Sequence, residues 1–389
     1  MPKRSKKRRR KIEATEPLQS DERPSIHWIA LPLIAITICL TVTFAFFSLQ
    51  SKPKVVSTSP VIAPVAKQFV PVKYSRKANN FHELMAMTPE QLREVDIAEV
   101  NLLCAVGLPG AEKIDIDRCL ARLDEWAAKV KSETDRHLYR VTDPRYADHY
   151  RRSESYFLAE MLLQVLQEDC GVKYNPERLY DVDFTNSKDL FIHGMIDDPN
   201  GGTCASMPVL YVAVGRRLGY PLFLSHTKGH LFARWEDAKD RFNIEGSNGF
   251  TSYPDEYYMT WPFPITETEK ESGYFLTNKT PAQELATFFA TRGHCLHDIG
   301  REDEAEQIYS AANKLDPKNP FYAQWAAQIS AVRAQRAMSQ PVKRPIGQYE
   351  HIPPGLRPPS PFSHIQPIPL IQPLIPNPNM PFGSPMVME

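Results

Sequence analysis

Asn200–Gly249 reads NGGTCASMPVLYVAVGRRLGYPLFLSHTKGHLFARWEDAKDRFNIEGSNG. Two glycines and a threonine lead into Cys204, and an apolar run of helical length follows from Ala205 to Leu218. Gly219 and Pro221 stop it. Pro208 is tolerated only in a first turn, so the spacing predicts a helix starting close to Cys204 with Thr203 as its cap. Three short segments rich in Phe, Leu and Ile come next and carry His226, His230, Asn243 and Glu245. They read as short strands.

A thiol at a helix start, with an imidazole and a carboxylate on the strands that follow, is the arrangement of a cysteine nucleophile, its base and an orienting group. The positive end of the helix dipole favours thiolate at Cys204. Its backbone N–H is one candidate oxyanion donor, and Asn200 is the candidate for a second. A register argument selects the base. Residues 230–235 and 240–245 read as a hairpin around the polar turn 236–239. If Trp235 opposes Asp240, His230 lies opposite Glu245, within reach of a side-chain hydrogen bond. The expected catalytic set is therefore Cys204, His230 and Glu245. His226, on the preceding strand, is the alternative base; Asn243 shares the face of Glu245 and is the alternative orienting group. A buried helix-start thiol is the bland reading of Cys204; the Gly-Gly-Thr before it and the hairpin behind it favour an active site.

Upstream, Thr88-Pro-Glu-Gln91 has the pattern of a capped helix start. Ile97, Val100, Leu103 and Cys104 recur at helical spacing, as do Cys119, Leu120, Leu123 and Ala127 within Asp117–Val130. Tyr156–Leu166 is a further apolar helix ended by Gly171. Residues 81–170 thus form a helical layer on which a small sheet can rest. Downstream, Tyr253, Tyr257, Tyr258, Trp261 and Phe263 mark an aromatic loop expected to pack onto the core. Residues 286–319 resemble one tetratricopeptide unit: Gly293, Ala305, Tyr309, Ala312 and Pro317 stand at that repeat's small, small, aromatic, small and proline positions, with Gly300 in the turn. Phe321–Val332 would cap it. A lone repeat cannot bury its apolar face and must dock on the rest of the chain or on a partner.

The 389 residues carry no net charge, which gives no global field toward nucleic acid. The charge is uneven, because eight of the first eleven residues are Lys or Arg. No aromatics are interleaved with them, so no nucleic-acid partner is expected. Ile26–Leu49 follows without a single Lys, Arg, Asp or Glu. A run of this length predicts a transmembrane helix, and the basic flank predicts a cytoplasmic N-terminus with the folded domain outside the cytoplasmic membrane. Residues 50–80 read as a Pro-rich linker and 334–389 as a Pro-rich disordered tail, able to dock a protein partner as the repeat is. The six cysteines show neither CxxC nor zinc-finger spacing, and no metal or cofactor is expected.

Gly202-Thr-Cys-Ala-Ser-Met-Pro-Val-Leu-Tyr211, Arg216-Arg-Leu-Gly-Tyr-Pro221, Lys228-Gly-His-Leu-Phe-Ala-Arg234 and Phe242-Asn-Ile-Glu245 resemble the transglutaminase-like superfamily of papain-like cysteine enzymes. The match is closest to a bacterial branch with a helical N-terminal region and a C-terminal tetratricopeptide-like repeat, and covers roughly 85–330. Ile97-Ala-Glu-Val100 and Leu120-Ala-Arg-Leu-Asp-Glu125 extend it upstream. The resemblance implies an α+β fold: a transglutaminase-like core at 81–280 with a small antiparallel sheet, then tetratricopeptide-like helices at 281–333. It implies Cys204 on a helix and His230 and its orienting residue on adjacent strands. Glu245 stands where the superfamily usually has Asp. The expected function is that of a cysteine hydrolase or acyltransferase acting on peptide or protein amides. The alternative is a silent fold that binds proteins through its repeat and tail.

Overall fold

The computed structural model describes residues 69–339, apart from 180 and 198–200. Its helical region opens with α1 (Phe81–Ala86), α2 (Pro89–Leu92), α3 (Ile97–Ala105), α4 (Ile116–His137) and α5 (Glu154–Gln164). The capping box forms at Thr88: its side chain accepts from the Gln91 N–H at 3.4 Å, and Gln91 Oε1 accepts from the Thr88 N–H at 2.9 Å. The segment that follows is two helices, because Asp96 takes extended backbone and caps α3 afresh, accepting from Ala98 N–H. Every residue of α3 is buried.

After α6 (His193–Asp197) comes α7 (Met207–Arg217), the centre of the body. Met207–Gly215 are all buried, as expected of a helix apolar on every side. Helices α3, α4 and α5 pack around it, and the sheet covers another side. That sheet is β1 (Leu222–Thr227), β2 (His230–Glu236) and β3 (Arg241–Ile244), antiparallel in the order β1-β2-β3. Two short helices, α8 (Asp255–Tyr258) and α9 (Glu267–Glu271), lie in the connection to α10 (Pro281–Asp298), α11 (Glu302–Leu315) and α12 (Pro320–Ser339).

The last three helices pack in succession, with the Tyr309 ring against Gly293 and Ala305 and Ala312 fully buried. They also dock on the body. α10 packs on α3, where Arg292 Nη1 donates to the carbonyls of Cys104 and Val106, both at 2.8 Å. Glu284 of α10 takes a two-pronged pair from Arg216 at the end of α7, at 2.6 and 3.1 Å. Residues 69–80, placed by composition in the linker, lie along the body as extended chain. Phe69 packs edge-on to Tyr220 and Trp235, and Val72 N–H donates to the Arg216 carbonyl at 3.2 Å.

The expected fold class needs one correction. The described residues form an α+β fold of twelve α-helices and a three-stranded antiparallel sheet, and no helix among them is long and apolar enough to cross a membrane. The expectation of a single-pass membrane protein with an extracytoplasmic domain is therefore not supported. Even α4, whose 22 residues are length enough to span, buries only Cys119, Leu123, Trp126, Ala127, Val130 and Thr134 and turns charged residues outward. Ile26–Leu49, the basic stretch 1–25, residues 50–68 of the expected linker and residues 340–389 of the expected tail lie outside the described residues, whereas residues 334–339 of that tail continue α12.

Candidate active site

Cys204 is held by the chain before it. Gly202 N–H donates to the Lys173 carbonyl at 2.9 Å and its own carbonyl accepts from Asn175 N–H at 2.8 Å, so residues 173–175 flank the approach to the thiol. Gly201 has φ +98°, and a side chain at Gly202 would meet Ser206 Oγ at 2.7 Å. The first position needs a left-handed backbone and the second a close approach, which only glycine meets freely. Thr203 Oγ1 donates to the Asp189 carbonyl at 2.8 Å and accepts from Ala205 N–H at 3.2 Å. Thr203 thus caps the turn 204–206 rather than the helix. α7 starts at Met207, with Ser206 as its N-cap residue and Pro208 in its first turn, so half-buried Cys204 sits just ahead of the helix. The Tyr174 hydroxyl lies by Cys204, and its pKa is raised by burial and by Cys204 and Glu245 nearby.

His230 opens β2 and Glu245 follows β3. The ladder pairs Trp235 with Phe242, Arg234 with Asn243 and Ala233 with Ile244, two residues away from the expected pairing of Trp235 with Asp240. An even shift leaves each side chain on its face, whereas a shift of one would turn Glu245 away. Glu245 therefore still reaches His230, and His230 Nε2 lies 2.7 Å from Glu245 Oε1. The Cys204 side chain lies beside the imidazole, in the wall of the same cavity. With Nε2 facing the carboxylate, Nδ1 is the ring nitrogen left for the thiol. Burial pulls the His230 pKa down, but the Glu245 charge, the hydrogen bond to Glu245 and the neighbouring Cys204 outweigh it and raise it to about 10.

Aromatic side chains fix this pair. The fully buried Tyr258 donates its hydroxyl to the same Glu245 Oε1 at 2.7 Å, and Trp261 meets the His230 ring edge-on at 4.8 Å. Behind Glu245, the chain turn is pinned by Gln167. Its amide donates to the Gly246 carbonyl at 2.6 Å and its oxygen accepts from Gly249 N–H at 2.9 Å. Gln167 gets there because the helix after α5 widens into a π turn, Val165–Asp169.

The structure thus brings Cys204, His230 and Glu245 together and leaves the alternatives apart. Asn243 is committed elsewhere: Oδ1 accepts from Arg234 Nε at 2.7 Å and Nδ2 donates to Asp255 Oδ1 at 2.8 Å. His226 pairs with Leu231 across the sheet and packs against the rings of Tyr274 and Phe275. Asn200 lies outside the described residues. Tyr174, Gln167 and Tyr258 were not singled out as site residues from sequence. Tyr258 stood in the aromatic loop, but its hydroxyl's target is a tertiary contact that no spacing encodes. Compared with known proteins, the chain matches no family model, no curated protein and no solved structure.

Proposed function

We propose that this protein is a cysteine-dependent amide hydrolase or acyltransferase of transglutaminase-like type, acting on peptide or protein amides through Cys204, His230 and Glu245. The observation that carries this reading is the 2.7 Å hydrogen bond from His230 Nε2 to Glu245 Oε1, with the Cys204 side chain beside the same imidazole. Such an arrangement gives a thiol a base and gives the base a fixed orientation. With the proton held on His230, the sulfur attacks the amide carbonyl. The tetrahedral oxyanion collapses to a thioester as His230 returns the proton to the leaving nitrogen. Water or an amine, deprotonated by His230, then takes the acyl group and frees the thiol. Glu245, held by Tyr258, supports the imidazolium in both halves. The oxyanion donors we assign are the Cys204 N–H and the Tyr174 hydroxyl beside it.

The test is alkylation of Cys204 by iodoacetamide across pH, paired with amine release from peptide amides. Rapid alkylation at neutral pH should fall on the order of 10²-fold in Glu245→Gln, and turnover should vanish in Cys204→Ala. A wild-type thiol that reacts like an ordinary free cysteine, with release unchanged in Cys204→Ala, would sink the reading.

A further inference from the structure

Cys204 and His230 line one wall of a cavity of about 360 Å³ that reaches the C-terminal helices. That volume is within the range of small-ligand sites. Aromatic side chains form much of its lining: Phe184, Phe263, Tyr274, Phe275 and Trp325. Polar atoms without a hydrogen-bond partner among the described residues lie in the same walls. They are both ring nitrogens of His226, Nε2 of His294 and Oε1 of Gln328. His294 is only 4% exposed, and its Nδ1 already meets the Tyr309 hydroxyl at 2.7 Å. Buried polar groups are normally paired, so unpaired ones facing a cavity point to an occupant that supplies the partner.

The occupant's charge can be read from the walls. Burial drives the pKa of His226 well down and that of His294 to about 3, so both imidazoles are neutral. The cations of the walls already have partners: Lys228 pairs with Glu269 at 2.7 Å, His230 with Glu245 at 2.7 Å, and Lys279, lowered by burial to about 8, interacts with Asp316 and Glu284. An ionic guest would lose its hydration without a free counter-charge.

We propose that this cavity is an acyl-side subsite that takes a neutral aromatic residue with a hydrogen-bonding group, tyrosine-like, next to the scissile amide. The location beside Cys204 rests on the proposed amidase reading, but occupancy is measurable without the thiol. Titrating the full-length Cys204→Ala protein with N-acetyl-tyrosinamide, N-acetyl-phenylalaninamide, N-acetyl-aspartamide and N-acetyl-lysinamide by calorimetry tests it. N-acetyl-tyrosinamide should bind most tightly, at least tenfold above the charged amides, with N-acetyl-phenylalaninamide, which cannot pair with the buried nitrogens, between them. Thr291→Phe in the same background, which fills the cavity from α10, should weaken aromatic binding at least tenfold while retaining the native circular dichroism. Equal affinity for all four amides, no binding, or binding untouched by the Thr291→Phe change in folded protein would overturn the subsite. Aromatic selectivity alongside an unreactive Cys204 in the wild type would keep the subsite and remove the amidase reading.

Discussion

At the scale of single residues, His230 decides how the site responds to pH. Its folded pKa stands near 10, above the ordinary value of 6.5. Below pH 6.5 the proton is bound in folded and unfolded chains alike, and the pairing with Glu245 contributes in full. As pH rises toward 10 the unfolded chain loses its proton first, so the contribution shrinks and then disappears. The stability difference between wild type and His230→Gln should therefore narrow steadily from pH 6.5 to about 10, as read by urea midpoints. A difference that widens with pH would contradict the pairing. Tyr174 carries a separate expectation. If its hydroxyl serves the oxyanion, Tyr174→Phe should lower kcat for amide release by about 10²-fold with little change in KM. A purely structural tyrosine would instead lower the unfolding midpoint and leave kcat of the folded fraction intact.

At the scale of elements, α7 and the hairpin are built for one another, and the C-terminal end of α7 is where they are tied down. Arg216 Nε donates to the Leu222 carbonyl of β1 at 3.0 Å while its guanidinium holds Glu284 of α10. Arg217 turns the other way, pairing with Asp96 and, at 2.7 Å, with Asp124. Adjacent arginines thus clamp the last helices and the first to one element. Glu284 is almost fully buried, with side-chain exposure of 3%. Removing one member of such a pair leaves an uncompensated charge, so Glu284→Gln should cost about 3–5 kcal/mol in chemical denaturation. A loss below about 1 kcal/mol would place that pair with the weak surface pairs.

At the scale of the whole molecule, helices α10–α12 pack as part of the body. The Arg292 bonds to α3, the Glu284 pair and the cavity lined by both regions make their packing mutual. Unfolding followed by Trp325 fluorescence, with the other four tryptophans replaced, should coincide with unfolding followed by far-ultraviolet circular dichroism. An earlier Trp325 transition would show α10–α12 melting as an independent unit.

The local features came from the sequence because they are governed by neighbours along the chain. The Thr88 capping box, the stop at Gly219 and the alternation that sets Glu245 on the His230 face each depend on a few consecutive residues. The hairpin shows where such information ends. Its parity followed from a period of two, while its register, shifted by two residues, was set by where the turn closes: Asp237 N–H donates to the Asp240 carbonyl. The exact start of α7 was likewise decided by tertiary bonds, since Thr203 and Ser206 both reach the Asp189 carbonyl. Tyr258 on Glu245, Gln167 on Gly246 and the unpaired imidazoles of His226 and His294 join residues distant in sequence. The sequence alone determined which residues could do chemistry and which faces they occupy, because periodicity and capping are local. Only the tertiary structure decided which of them meet and what surrounds them, because burial and cross-chain hydrogen bonds arise when separate elements pack.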